Sequence, residues 1–152
     1  MKKIELRSAN WAEACQFIAE HHRHHAPPTG WKFGVVAIFR DKIVGIATVG
    51  RPSSRVLQAR GYLEVTRTCT VIWGVNRELY RWAAQFAPIC TYTQGSEHGR
   101  SLLAAGWRPT AYRHGRRSDW NTPARVRINV SPADRIRWEP ASISSPTWPF
   151  LD

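Results

Sequence analysis

The chain predicts a single α/β (α+β) domain, a mixed, mostly antiparallel sheet flanked by helices, and three features carry that prediction. Two β-branched runs, KFGVVAIF and KIVGIATVG, are separated only by RDK, the pattern of a hairpin. A third run, YLEVTRTCTV, follows, and helical and strand patterns then alternate, so an antiparallel meander passes into a β-α-β crossover. Finally, 152 residues with 43% hydrophobic content and eight tryptophans match one domain with its own core.

Taken in order, Asn10 precedes WAEACQFIAEHH with Glu13 three residues on, a capping box. Trp11, Ala14, Cys15, Phe17 and Ile18 recur at helical spacing, so a first helix of about three turns is expected. Pro27 and Pro28 cannot continue it, which leaves His21, His22, His24 and His25 in its last turn and exit loop. After the hairpin, RPSSRVLQARG reads as an exposed loop. In YLEVTRTCTV, strict alternation puts Leu63, Val65, Arg67 and Cys69 on one face and Glu64, Thr66, Thr68 and Thr70 on the other.

Asn76 is the expected N-cap of RELYRWAAQFA, whose Leu79, Trp82, Ala83 and Phe86 form one apolar stripe that Pro88 ends. ICTYT is a short strand, SEHGRSLLAAG a short helix capped by Ser96 and closed by Gly106, and WRPTAYR another strand. Residues 1–112 thus read as the core. Residues 113–152 read as a basic, proline-containing extension with one last strand at about 134–139 and a tail.

The 22 basic against 11 acidic residues give a net charge of +11, and all the basic residues but Lys2, Lys3, Lys32 and Lys42 are arginines. Arginine's planar fork suits phosphate and carboxylate, so the expected partners are polyanions, nucleic acid among them, or phosphate-bearing cofactors. The plainer reading is a solvated basic surface. No apolar run follows the first lysines and none approaches membrane length, which points to a cytoplasmic protein, monomer or homodimer. Cys15, Cys69 and Cys90 form no CxxC pair and read as buried, reduced thiols.

YLEVTRTCTVIWGVNRELYRWAA, ICTYTQ and SEHGRSLLAAGW, in that order, resemble the GCN5-related N-acetyltransferase (GNAT) fold over about residues 4–112. SLLAAGW is similar to the helix ending LY-x-x-x-GF of that family. More narrowly, HHRHHAPPTGWKF with VGRP, LEVTRTCT and TYTQGSEHGRSLLAAGWR resembles a small group of phage- and prophage-associated proteins of this fold. That group is similar in outline to the Mom family, which modifies adenine in phage DNA.

The resemblance implies an acyl-CoA-dependent N-acyltransferase that uses acetyl-CoA or another acyl-CoA. Its implied acceptor is a nucleobase in DNA or another phosphate-bearing molecule. Two alternatives remain: a non-catalytic nucleic-acid-binding module of the same fold, and an acetyltransferase acting on a protein or small-molecule amine. By the same resemblance, Thr70, Gly74, Val75, Asn76 and Arg77 fall where the family holds the coenzyme pyrophosphate. Two departures stand out. Only Gly74 remains where the family has Q/R-x-x-G-x-G/A, and Leu102 stands where it has a tyrosine general acid. Tyr92 or Ser96 would then have to protonate the departing thiolate, although a plain helix cap is the favoured reading of Ser96.

Glu64 occupies a position where the family often has a carboxylate that deprotonates the acceptor through water; an ion pair with Arg67 is the structural alternative. The histidines match no zinc signature in their spacing, and no metal is expected. A cationic helix end stabilised by the helix dipole is one reading. The other follows from the resemblance, because the loop after the first helix lines the acceptor pocket in this fold. His24 and His25 would serve as bases there, and His21 and His22 as contacts to an acceptor phosphate. Arg51, Arg67, Arg116, Arg117 and Trp120 complete the candidate nucleic-acid contacts, with Trp120 and Trp138 interleaved among arginines as suits base stacking; a solvated basic loop that packs its tryptophans onto the sheet is the equal alternative.

Overall fold

The computed structural model describes residues 3–21, 26–113 and 134–141. Its elements are β1 (Glu5–Ser8), α1 (Trp11–His21), β2 (Phe33–Phe39), β3 (Lys42–Gly50), α2 (Arg55–Ala59), β4 (Leu63–Thr70), α3 (Val75–Ala84), β5 (Ile89–Gln94), α4 (Arg100–Ala104), β6 (Trp107–Arg113) and β7 (Arg135–Pro140). They form a seven-stranded sheet in the order β1-β2-β3-β4-β5-β7-β6. Only the β4/β5 pair is parallel.

Local signals explain most of the elements. At the start of α1, Glu13 N donates to Asn10 Oδ1 at 2.8 Å and Asn10 N to Glu13 Oε1 at 2.8 Å, the reciprocal pair of a capping box. Between β2 and β3, Arg40 and Asp41 both take positive φ, 50° and 63°, as a two-residue hairpin turn requires. Helices cover both faces of the central strands, so β2 reads as a continuous apolar run rather than an alternating one. Its Val36 packs with Phe17 and Ile18 of α1, while Val35 and Ala37 pack with Val75 and Leu79 of α3.

Several elements depart from the sequence reading. RPSSRVLQARG is not simply a loop: it holds α2, capped by Ser54 Oγ, which accepts from Leu57 N at 3.3 Å, with Leu57 buried. Its single apolar anchor shows no helical period. Gly74, not Asn76, is the N-cap of α3, and Gly99, not Ser96, is that of α4. The two glycines take φ of 90° and 64°, a left-handed entry that suits glycine better than Asn or Ser. Ser96 is left exposed in the preceding turn.

The alternation of β4 is broken as well. Thr48 of β3 pairs with Arg67 and Val49 with Val65, so Thr66 is an extra residue on β4, a β-bulge. Its effect on the pattern is direct. Val65 packs with Tyr80 and Ala83 of α3, yet Cys69 packs with Phe17 and Ile18 of α1 on the opposite face. Arg67 therefore parts company with Val65, and Thr68 turns to α3, where its Oγ1 lies 3.1 Å from Tyr80 Oη.

The segment beyond residue 113 does not merely follow the core. β7 runs between β5 and β6, and its Trp138 is 4% exposed beside Leu102 and Trp107. This excludes Trp138 as a stacking platform and makes it core. Its indole donates to Thr93 Oγ1 at 2.9 Å and lies flat against Gly99, where an added Cβ would collide with the ring. Gly99→Ala combines that clash with a strained φ, so we expect a loss of about 2 kcal/mol in unfolding free energy, measured by urea titration.

Candidate active site between two parting strands

β4 and β5 share only two register pairs, Leu63 with Ile89 and Glu64 with Cys90, and then diverge. A side chain bridges the start of the gap: Thr91 Oγ1 donates to Val65 O at 3.0 Å. Beyond it opens a cleft of about 540 Å³, a size typical of ligand sites. One wall is β4 from Glu64 to Thr68, the other β5 from Thr91 to Gln94; Ser53, Asn76, Tyr80, Glu97 and Arg135 complete the lining. A strand edge without its neighbour presents backbone N–H and C=O groups that an extended, amide-bearing ligand can satisfy.

The bulge at Thr66 sets the polar contents. It brings Glu64, Thr66 and Arg67 to the cleft while Val65 stays in the core. Thr66 Oγ1 lies 2.7 Å from Thr48 Oγ1, which holds the distorted turn of β4 against β3. Glu64 Oε1 accepts from Ser53 N and Ser53 Oγ, both at 3.2 Å. Burial raises the proton affinity of Glu64, and the Ser53 hydrogen bonds and the charges of Arg135 and Arg67 only partly offset that. The result is a carboxylate more basic than usual. Arg67 forms no ion pair with it closer than 4 Å among the described residues. Instead its Nε donates to Ala26 O at 3.1 Å and its Nη1 to Thr66 O at 2.7 Å.

Facing them, Tyr92 Oη and Asn76 Oδ1 are buried and have no hydrogen-bond partner among the described residues. An orphaned buried polar atom implies a ligand group that belongs there. Burial also raises the Tyr92 pKa, keeping the phenol protonated and able to donate. Tyr80, fully enclosed, is engaged with Thr68.

At the far end of β4, the chain turns through Val71–Gly74 into α3. Val75 N donates to Ile72 O at 3.4 Å, and Gly74 supplies no side-chain cap for the N–H groups that follow in the first turn of this ten-residue helix. Val75 is buried and offers only its backbone, Thr70 is half-buried, and Arg77 is exposed with its Nε 3.2 Å from Glu78 Oε1. Leu102, in place of a tyrosine, is core at 1% exposed.

Of the residues singled out from sequence, the cleft therefore unites Glu64, Arg67, Tyr92 and Asn76. His21 ends α1 with its ring tilted against Phe17, ring centroids 4.5 Å apart, and does not line the cleft; Arg51 and Ser96 are exposed and also outside it. His22, His24, His25, Arg116, Arg117 and Trp120 lie outside the described residues. Ser53, Tyr80 and Arg135 were missed. Tyr80 could have been found three residues before Ala83 on the same helical face; Ser53 and Arg135 come from distant segments and carry no local signal.

No family model and no curated protein matches the chain. Solved structures do. The Bacillus subtilis acetyltransferase in complex with CoA superposes with a TM-score of 0.59 at 14% identity, covering 94% of this chain and 100% of that one. Arabidopsis thaliana Naa50, in complex with a bisubstrate analogue, gives 0.65 at 10% identity over 91% and 99%. The ribosomal-protein-S18-alanine N-acetyltransferase of Escherichia coli gives 0.57 at 11% over 97% and 100%. The fold is that of the GNAT acetyltransferases.

Glu64 is expected to titrate above the ordinary carboxylate range, followed by carboxyl ¹³C NMR. Ser53→Ala removes the hydroxyl donor to the charged form, so it should raise that midpoint further; a lowered midpoint would contradict the assignment.

Proposed function

We propose that this chain is an acyl-CoA-dependent N-acyltransferase acting on a phosphate-bearing acceptor, with a nucleobase in DNA as the first expectation. The observation that carries the reading is the pairing, in one cleft, of a carboxylate made more basic by burial with an unpartnered, protonated phenol. The GNAT fold and the net charge of +11 support it.

The residues present fit the coenzyme. The uncapped start of α3 suits a diphosphate, and the buried Asn76 Oδ1 is an acceptor awaiting an N–H. The β4 edge freed by the parting suits an arm that carries amides. A single glycine in the turn is thus enough, because the approach is made to the helix start rather than to a glycine-lined loop. Bound there, the coenzyme supplies an acyl group on a thioester.

Glu64 accepts the proton that the acceptor nitrogen loses as the N–C bond forms. Tyr92 gives its phenolic proton to sulfur as the C–S bond breaks, the task that buried Leu102 cannot perform. The phenol is then reprotonated through solvent and Glu64 releases its proton, so the balance is one amide and one thiol. Arg67 positions the cleft wall and, through Ala26 O, the chain immediately after the histidines. The same proposal gives His24 and His25 an acceptor-side role, with His25→Ala lowering turnover.

A calorimetric titration with acetyl-CoA is expected to show saturable binding; none at millimolar ligand rejects the enzyme and favours a binding module of the same fold. Nucleosides from cells expressing the protein should carry a new mass on one base, and an unchanged profile moves the acceptor to another amine. Tyr92→Phe should lower kcat by about a hundredfold with little change in KM. The wild-type rate should fall as pH drops through the raised pKa of Glu64, because the protonated carboxyl cannot accept a proton, and Glu64→Gln should lose that acid limb.

A further inference from the structure

Two guanidiniums share the cleft, and they are not equivalent. Arg67 is committed to the fold through the carbonyls of Ala26 and Thr66. Arg135 enters from β7, opposite Gln94 on one side and Arg113 on the other, and lines the cleft with Glu64, Arg67 and Tyr92. Among the described residues it makes no hydrogen bond and no ion pair, although its charge is felt by both neighbours: it favours the ionised form of Glu64 and disfavours the cation of Arg67.

The nearby carboxylates are otherwise occupied. Glu64 Oε1 takes both Ser53 donors, Glu97 Oε2 accepts from Gln94 N at 3.2 Å, and Asp134 Oδ2 accepts from Tyr112 Oη at 2.5 Å. Two guanidiniums facing each other across a partly buried cleft repel, and among the described residues neither lining carboxylate, Glu64 or Glu97, forms an ion pair with Arg135. A planar fork free in a binding cleft suits a carboxylate or phosphate.

We infer that Arg135 receives an anionic group, carboxylate or phosphate, carried by the acceptor near the amine that Glu64 serves, and so determines which acceptors are used. The word acceptor rests on the acyltransferase reading; the anion site does not. A neutral acceptor would desolvate Arg135 without giving it a partner, and a site built for a polar contact rejects ligands that lack it.

Binding without turnover tests this. 2-Aminoethyl phosphate, β-alanine and ethanolamine present one amine with a phosphate, a carboxylate or a hydroxyl, and each is titrated calorimetrically into the full chain without coenzyme. At least one anionic probe should bind roughly ten- to a hundredfold more tightly than ethanolamine, the scale of a charged hydrogen bond. The tighter of the two identifies the group. In folded Arg135→Gln the preference should vanish. Equal binding of all three probes, or a preference that this variant leaves intact, overturns the assignment. If Arg135→Gln does not fold, Arg135→Lys decides: it keeps the charge and loses the fork, so the preference should shrink, and an unchanged preference again overturns it. A protein that shows the preference but no acyl transfer loses the function and keeps the site; acyl transfer without the preference leaves the function and removes the role of Arg135.

Discussion

Everything at the site follows from the brevity of one strand pairing. Parallel strands that stay together bury their ladder between neighbours and leave no room for a ligand. Here β4 and β5 part after two register pairs, and the backbone groups released must find partners. Thr91 satisfies the first of them at Val65 O, and β7 takes over the far edge of β5 from Thr91 to Gln94. Past that point the two strands line the cleft, so the break that would weaken an ordinary sheet makes the candidate site.

Keeping the strands apart requires a wedge. Trp107 and Trp138, with Tyr80 and Leu102, fill the space behind the divergence, and polar atoms in that core are paired: Trp107 Nε1 donates to Tyr80 O at 3.0 Å and Trp138 Nε1 to Thr93 Oγ1. Leu102 belongs to this wedge, which explains physically why no proton donor stands there. In the proposed reaction the donor's task falls to Tyr92 on β5, whose hydroxyl is buried and, among the described residues, without a hydrogen-bond partner. Electrostatics follow from the same enclosure, since burial makes Glu64 more basic while Arg135 lines the same cleft.

How much of this was legible in the sequence depended on the range of the interaction that decides each feature. The capping box of Asn10 and Glu13, the hairpin at Arg40 and Asp41, and the crossover through α3 are encoded within a few residues, and each was readable. The caps of α3 and α4 were misplaced by two and three residues, because Asn76 and Ser96 are good cap residues while the left-handed entries at Gly74 and Gly99 are set by packing. α2 was missed because a single buried leucine leaves no period to detect.

The sequence by itself determined the class of fold and the surplus of arginine, because composition and short-range pattern suffice for those, whereas the choice of Glu64 and Tyr92 as candidate proton carriers rests on the family resemblance. The tertiary structure alone decided the rest. Whether Arg67 faces the core or the cleft turns on one bulged residue, Thr66, whose register is set against β3. Whether Arg135 belongs to the site turns on β7 threading between β5 and β6, a pairing of residues some forty positions apart. Strand partners so distant in the chain are chosen by the burial of Trp138 and its neighbours, a property of the assembled core that no local stretch of sequence contains.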